Sequence, residues 1–103
     1  MKPPDCCLTL VFPPSLEEAL VEHLLAHPDW VTGCTIYPAE GLGRHLHGRD
    51  VYELVRGRTR QVAAQIVMNS EDARALIALL RDALPRADVG WWIAPVIDSG
   101  RLA

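Results

Sequence analysis

The sequence predicts an α+β domain in which one four-stranded antiparallel sheet carries two helices on a single face. Three observations predict it. The chain has 103 residues, half of them hydrophobic and 22% charged, which is enough for one core and too little for two. Two stretches repeat apolar residues at helical spacing, and four others are rich in β-formers. Their order is strand, helix, strand, long loop, strand, helix, strand, and the economical packing of that order is a sheet with both helices on one side.

Cys6 to Phe12 reads as the first strand and stops at Pro13-Pro14, because proline brings no N–H to the ladder. Ser15-Leu16-Glu17-Glu18 fits a capping box, and a helix follows to about His27 with Leu16, Leu20, Val21, Leu24 and Leu25 on one stripe. Trp30 to Pro38 supplies the second strand, with Gly33 marking a bulge or close approach. From Ala39 to Arg60 the apolar periodicity disappears, and four glycines, two histidines and five arginines take its place. A structureless segment of that length in a small domain is usually functional or mobile. Gln61 to Met68 is the third strand, and Asn69 offers a cap for the second helix, whose stripe is Ala73, Leu76, Ile77, Leu80 and Leu84 before Pro85. Val89 to Ile97 is the last strand. Its neighbours Trp91 and Trp92 must face opposite sides, so at least one leaves the helix-covered face. The arrangement is the ferredoxin-like βαββαβ unit. Its bare sheet face, carrying a tryptophan, calls for a homo-oligomer to cover it.

Charge and motifs narrow the function classes. A formal charge of -3 argues against a nucleic-acid binder, although all the basic residues except Lys2 are arginines and can form local patches. No run is long and apolar enough for membrane insertion, and the start Met1-Lys2-Pro3-Pro4-Asp5 lacks the apolar stretch of a signal peptide, so a cytoplasmic location is expected. Three cysteines, two of them adjacent, make no disulfide framework and read as reduced thiols. There is no nucleophile elbow, Walker loop or H-E-x-x-H, and no enzyme is expected. An acylphosphatase-like enzyme needs arginine and asparagine at a phosphate loop, whereas Asn69 sits at a helix cap. An RNA-recognition module needs stacking aromatics on its central strands, and Gln61 to Met68 has none.

Val31-Thr32-Gly33-Cys34-Thr35 followed by Gly41-Leu42-Gly43-Arg44 resembles the V-T-G-x-T and G-F-G-R that open the T-loop of the PII signal-transduction proteins. Gln65-Ile66-Val67, and Pro95-Val96-Ile97-Asp98-Ser99-Gly100-Arg101 against the family's P-V-E-D-A-x-R, extend the likeness over nearly the whole chain. More narrowly, the sequence is similar to short PII-like proteins encoded beside heavy-metal efflux pumps. The resemblance implies a non-catalytic regulatory homotrimer, a single domain with a flexible T-loop at about 39–60. It would bind a small-molecule ligand in intersubunit clefts and signal to a membrane transporter. Matched by position, Gly41, Gly43 and Arg44 lie at the T-loop base and Arg101 contacts phosphate; glycine permits close backbone approach and arginine forks onto oxygens.

Where the family has T-G-x-x-G-D-G-K this chain has Leu84-Pro85-Arg86-Ala87-Asp88-Val89-Gly90, with Gly90 at the lysine position. The second arginine of the family's terminal R-x-R is absent as well. Each lost charge-assisted contact is worth roughly 1.5 to 3 kcal/mol, so high-affinity ATP binding is not expected, and an adenine nucleotide is one candidate ligand lacking the family's phosphate loop. Tyr52, in Val51-Tyr52-Glu53-Leu54, does not match the modified T-loop tyrosine of some PII proteins. His45-x-His47 presents two imidazoles that suit a divalent or copper ion, against the plainer reading of solvated loop histidines. A metal-binding or metal-buffering trimer using His45 and His47 is the alternative function. His23 and His27, one turn apart, read as boundary residues, and Cys34 as a small buried hydrophobe. Arg56, Arg58 and Arg60 suit either an anionic ligand or solvent.

Overall fold

Alternation in the first strand decides the architecture. In the computed structural model, which describes residues 2–42 and 58–103, β1 (Cys6–Phe12) sends Cys6, Leu8, Leu10 and Phe12 to one buried face. It is flanked on both sides by antiparallel partners, β3 (Thr59–Met68) and β4 (Gly90–Pro95), and β2 (Thr35–Gly41) adds to the far side of β3. The strand order is therefore β2-β3-β1-β4, the ferredoxin-like sheet expected from the sequence. In register, Leu8 faces Ile66 and Leu10 faces Ala64, so Val62, Ala64, Ile66 and Met68 share the buried side. α1 (Glu17–Leu25) lays Leu20 and Leu24 on that side, and α2 (Ser70–Ala83) adds Ala73, Leu76, Ile77 and Leu80 to the same core. Among the described residues no helix is long and apolar enough to cross a membrane.

The start of α2 is fastened to the chain's first residues. The Asn69 side-chain oxygen accepts from the N–H groups of Glu71 (3.0 Å) and Asp72 (3.4 Å), and its amide nitrogen donates to the Pro3 carbonyl at 3.0 Å. The Ser70 N–H and hydroxyl both donate to the Asp5 carboxylate, at 2.7 and 3.1 Å, where a negative charge also meets the positive end of the helix dipole. Lys2 closes the strap on Glu71 at 2.9 Å. Asn69→Ala is expected to lower stability by about 1 kcal/mol, which is about 4–8 °C in Tm for a domain of this size, measurable by thermal unfolding.

Several local expectations are corrected. Ser15 and Glu18 form no capping box. Pro14–Leu16 is a 3-10 turn led by an extended Pro13, so Ser15 is already inside helical backbone, and Leu16, which precedes α1, caps without a side-chain bond. Proline pre-sets this entry, and an extended Ser cap has no place in it. α1 stops at Leu25 rather than near His27, leaving Leu25 exposed 100° around the helix from Leu24.

β2 starts at Thr35, not Trp30, because Trp30 turns back to stack on His27 (ring centroids 4.8 Å apart, 12° between planes) and packs against the core beside Val31. Gly33 has no atom within 4 Å of where a Cβ would stand, so it makes no close approach. β2 then runs through Pro38 to Gly41. An edge strand tolerates proline, since only one side of it enters a ladder. Ala39–Gly41 and Thr59–Arg60, the two ends of the long segment, are thus strand.

Cys34 is exposed and Cys6 is buried; desolvation raises the thiol pKa of both, with the Asp5 charge adding to it at Cys6 and a backbone hydrogen bond from Gln65 opposing it at Cys34. Native protein should therefore be alkylated at Cys34 well before Cys6. The folded chain holds the Cys6 proton more tightly than the unfolded one. Its contribution to stability is present below the ordinary thiol range of about 8.5 and is lost as pH rises above it. Mass-spectrometric labelling and a pH series of unfolding curves check both outcomes.

Candidate functional site

The register that buries one set of side chains turns the alternate set to the other face of the sheet. There Thr9 faces Gln65 and Trp92, Val11 faces Ala63 and Gly90, Tyr37 faces Ala63, and Ala39 faces Gln61. Together with Glu40 and with Asp88 and Val89 of the turn between α2 and β4, this face walls a cleft of about 530 Å³. That size suits a small-molecule ligand. Tyr37 and Trp92 stand 40% and 53% exposed, while Thr9 and Gln61 are buried polar groups on the floor. Two aromatic planes above hydrogen-bonding side chains can stack and orient a flat heterocycle.

The electrostatics of the cleft are acidic. Glu40 and Asp88 line it, and no arginine or lysine is among its described walls. Arg58 approaches Glu40 at 3.7 Å, in a half-exposed pair worth little, and Arg60 lies opposite Glu40 in register. At the rim, facing Gly41 across the ladder, the Thr59 hydroxyl is buried and has no hydrogen-bond partner among the described residues. Leaving such a group unpaired costs roughly 1–3 kcal/mol.

Of the residues singled out from the sequence, Gly41 ends β2 at this rim, one position beyond Glu40. Arg101 is exposed and is not one of the cleft walls; its segment leaves β4 at the opposite end, where the Val96 N–H donates to the Asp5 carbonyl. Gly43, Arg44, His45, His47, Tyr52 and Arg56 lie outside the described residues. Among the described residues, no group of three or more His, Cys, Asp or Glu could hold a metal ion. The tryptophan pair behaves as alternation requires, Trp91 opposite Leu10 on the helix side and Trp92 opposite Thr9 on the open side. Sequence reasoning missed Tyr37, Gln61 and Asp88. The available signal was the polar Gln61 and Gln65 at alternate positions of an otherwise apolar strand.

Several solved structures share this arrangement. A DUF3240 family protein from Shewanella baltica OS155 matches with a TM-score of 0.77 at 17% identity, over 99% of this chain and 100% of that one. CPII, a nitrogen regulatory PII-like protein from Thiomonas intermedia K12 whose structure holds ADP, AMP and bicarbonate, matches with a TM-score of 0.71 at 16% identity, over 96% of each chain. A protein from Thermus thermophilus, described as a putative PII-like signaling protein, matches with a TM-score of 0.64 at 22% identity, over 90% of this chain and 86% of that one. At such identities the likeness is one of fold, and the fold is that of PII-like signalling proteins. No curated protein matches the sequence. The family model for proteins of unknown function, DUF3240, spans residues 2–103, and the chain belongs to that family.

Proposed function

We propose that this protein is a non-catalytic regulatory protein of the PII-like kind, a homotrimer whose open sheet faces meet and whose clefts bind a small ligand between subunits. The observation that carries the reading is the cleft itself. It sits on the face left bare by the helices, it is floored by buried polar groups and flanked by half-exposed aromatics, and its rim is the foot of the 39–60 segment. A ligand bound there can favour one arrangement of that segment by the difference in its affinity for the two, which is how binding becomes a signal. Gly43 and Arg44 would join Gly41 on the same ligand, and Arg101 would reach it from a neighbouring subunit. The receiver would be a membrane transporter; heavy-metal efflux as its class rests on the sequence resemblance alone.

The ligand that suits the described walls is an adenine nucleotide of low charge. Tyr37 and Trp92 offer stacking and Gln61 hydrogen bonding, while Glu40 and Asp88 oppose a polyphosphate. The solved relative holding ADP and AMP supports the class. Isothermal titration is expected to show AMP binding more tightly than magnesium-ATP. Tyr37→Ala should weaken AMP roughly tenfold, the loss of one stacking contact. Absence of binding by AMP, ADP and ATP alike would remove nucleotides from this reading.

A further inference from the structure

The helix-covered side of the sheet holds a second cavity, separated from the cleft by the sheet itself. It measures about 150 Å³, and Leu10, Leu20, Ile77 and Trp91 give it an apolar interior while Arg81 and Arg86 also line it. An apolar cavity of about that volume accommodates a benzene ring. Both arginines are exposed on their outer side, and neither has an ion-pair partner among the described residues. Arg86 is also the one non-glycine residue among those described with a positive φ, 66°. Glycine would occupy that backbone position with less strain, and residues held this way concentrate at ligand-binding sites. Here the strained turn delivers a guanidinium to the cavity.

We infer that this cavity binds a small apolar carboxylate of about one aromatic ring, with the ring against Trp91 and Ile77 and the carboxylate on Arg81 and Arg86. Guanidinium forks match a carboxylate in geometry as well as charge, and the apolar walls reject a fully hydrated anion. The site is independent of the nucleotide reading, because it lies on the other side of the sheet, its proposed ligand contacts are different side chains, and the two linings share only Val89.

Nitrogen-15 NMR titration of the full chain with benzoate, and with benzyl alcohol as the uncharged analogue, tests the assignment. Benzoate is expected to shift the Trp91 indole and the Ile77 amide and to bind at least about tenfold tighter than benzyl alcohol, the scale of one charged hydrogen bond. The double substitution Arg81→Ala, Arg86→Ala should remove that advantage and leave benzyl alcohol unchanged. Arg86→Gly, which relaxes the turn, should keep or raise the melting temperature while weakening benzoate. Equal affinity for the two compounds, benzoate binding unaltered in the arginine variants, or shifts confined to Trp92 and Tyr37 on the open face would each overturn the assignment.

Discussion

Trp92→Glu is expected to turn the proposed trimer into monomers. Trp92 is 53% exposed on the open sheet face, with Tyr37 and Val67 also exposed on that side of the ladder. Covering the exposed part of one tryptophan removes on the order of 100 Å² from water, which stabilises an interface by about 2.5 kcal/mol per protomer. A carboxylate in its place loses that gain and adds the desolvation of an unpaired charge, several kcal/mol more. The two effects reinforce each other, so association should weaken by more than about a hundredfold. Sedimentation velocity on wild type and variant reads this directly. A wild-type chain that already sediments as a monomer would show that the open face is not the site of assembly. The substitution should leave the fold intact, since Trp92 is on an edge strand and outside the core cluster.

Phe12→Ala should have the largest effect on stability. Phe12 is fully buried at the end of β1, opposite Val62, and is the largest of the completely buried side chains among the described residues. Truncating a buried phenylalanine costs about 3–5 kcal/mol, lost transfer energy plus the cavity left behind. A domain of this size has about 5–15 kcal/mol in all, so much of the population margin disappears. Urea unfolding should show a much lower midpoint with an unchanged slope. Leu25→Ala, on the exposed flank of α1, should shift the same midpoint hardly at all.

The fold was legible because its signals are local and repetitive. β1 shows where it begins and ends through a run of β-formers closed by Pro13-Pro14, and α2 through Asn69 and a three-and-four stripe, and both appear as read. The errors fall where tertiary contact overrides local preference. Trp30 has a strand-former's side chain but gains more by stacking on His27, and Pro38, a strand breaker in the interior of a sheet, is harmless on the edge that β2 occupies. Edge position is a property of the assembled sheet and is not written in seven residues.

The cleft was harder to foresee for a related reason. Thr9, Tyr37, Gln61 and Asp88 come from four separate stretches of chain, and only the register of three ladders brings them together. Gly41 was accessible through its motif, and it stands at the rim. Arg101 was singled out by the same route, yet it belongs to a segment that departs from the other end of β4. In a single chain it is not a wall of the cleft, and in the proposed trimer a neighbouring copy would bring the two together.

That separation provides the most direct test of the proposed shared site. Tyr37→Ala removes a cleft wall and Arg101→Ala removes the contact expected from the neighbour, so each variant alone should bind AMP poorly. Mixing the two, with subunit exchange confirmed by native mass spectrometry, and titrating the mixture with AMP reads whether the site is shared. Binding should return at about one quarter of the sites, the fraction of interfaces in a random mixture that join an intact cleft to an intact arginine. No recovery on mixing, or full affinity in Arg101→Ala alone, would contradict a ligand site built between subunits.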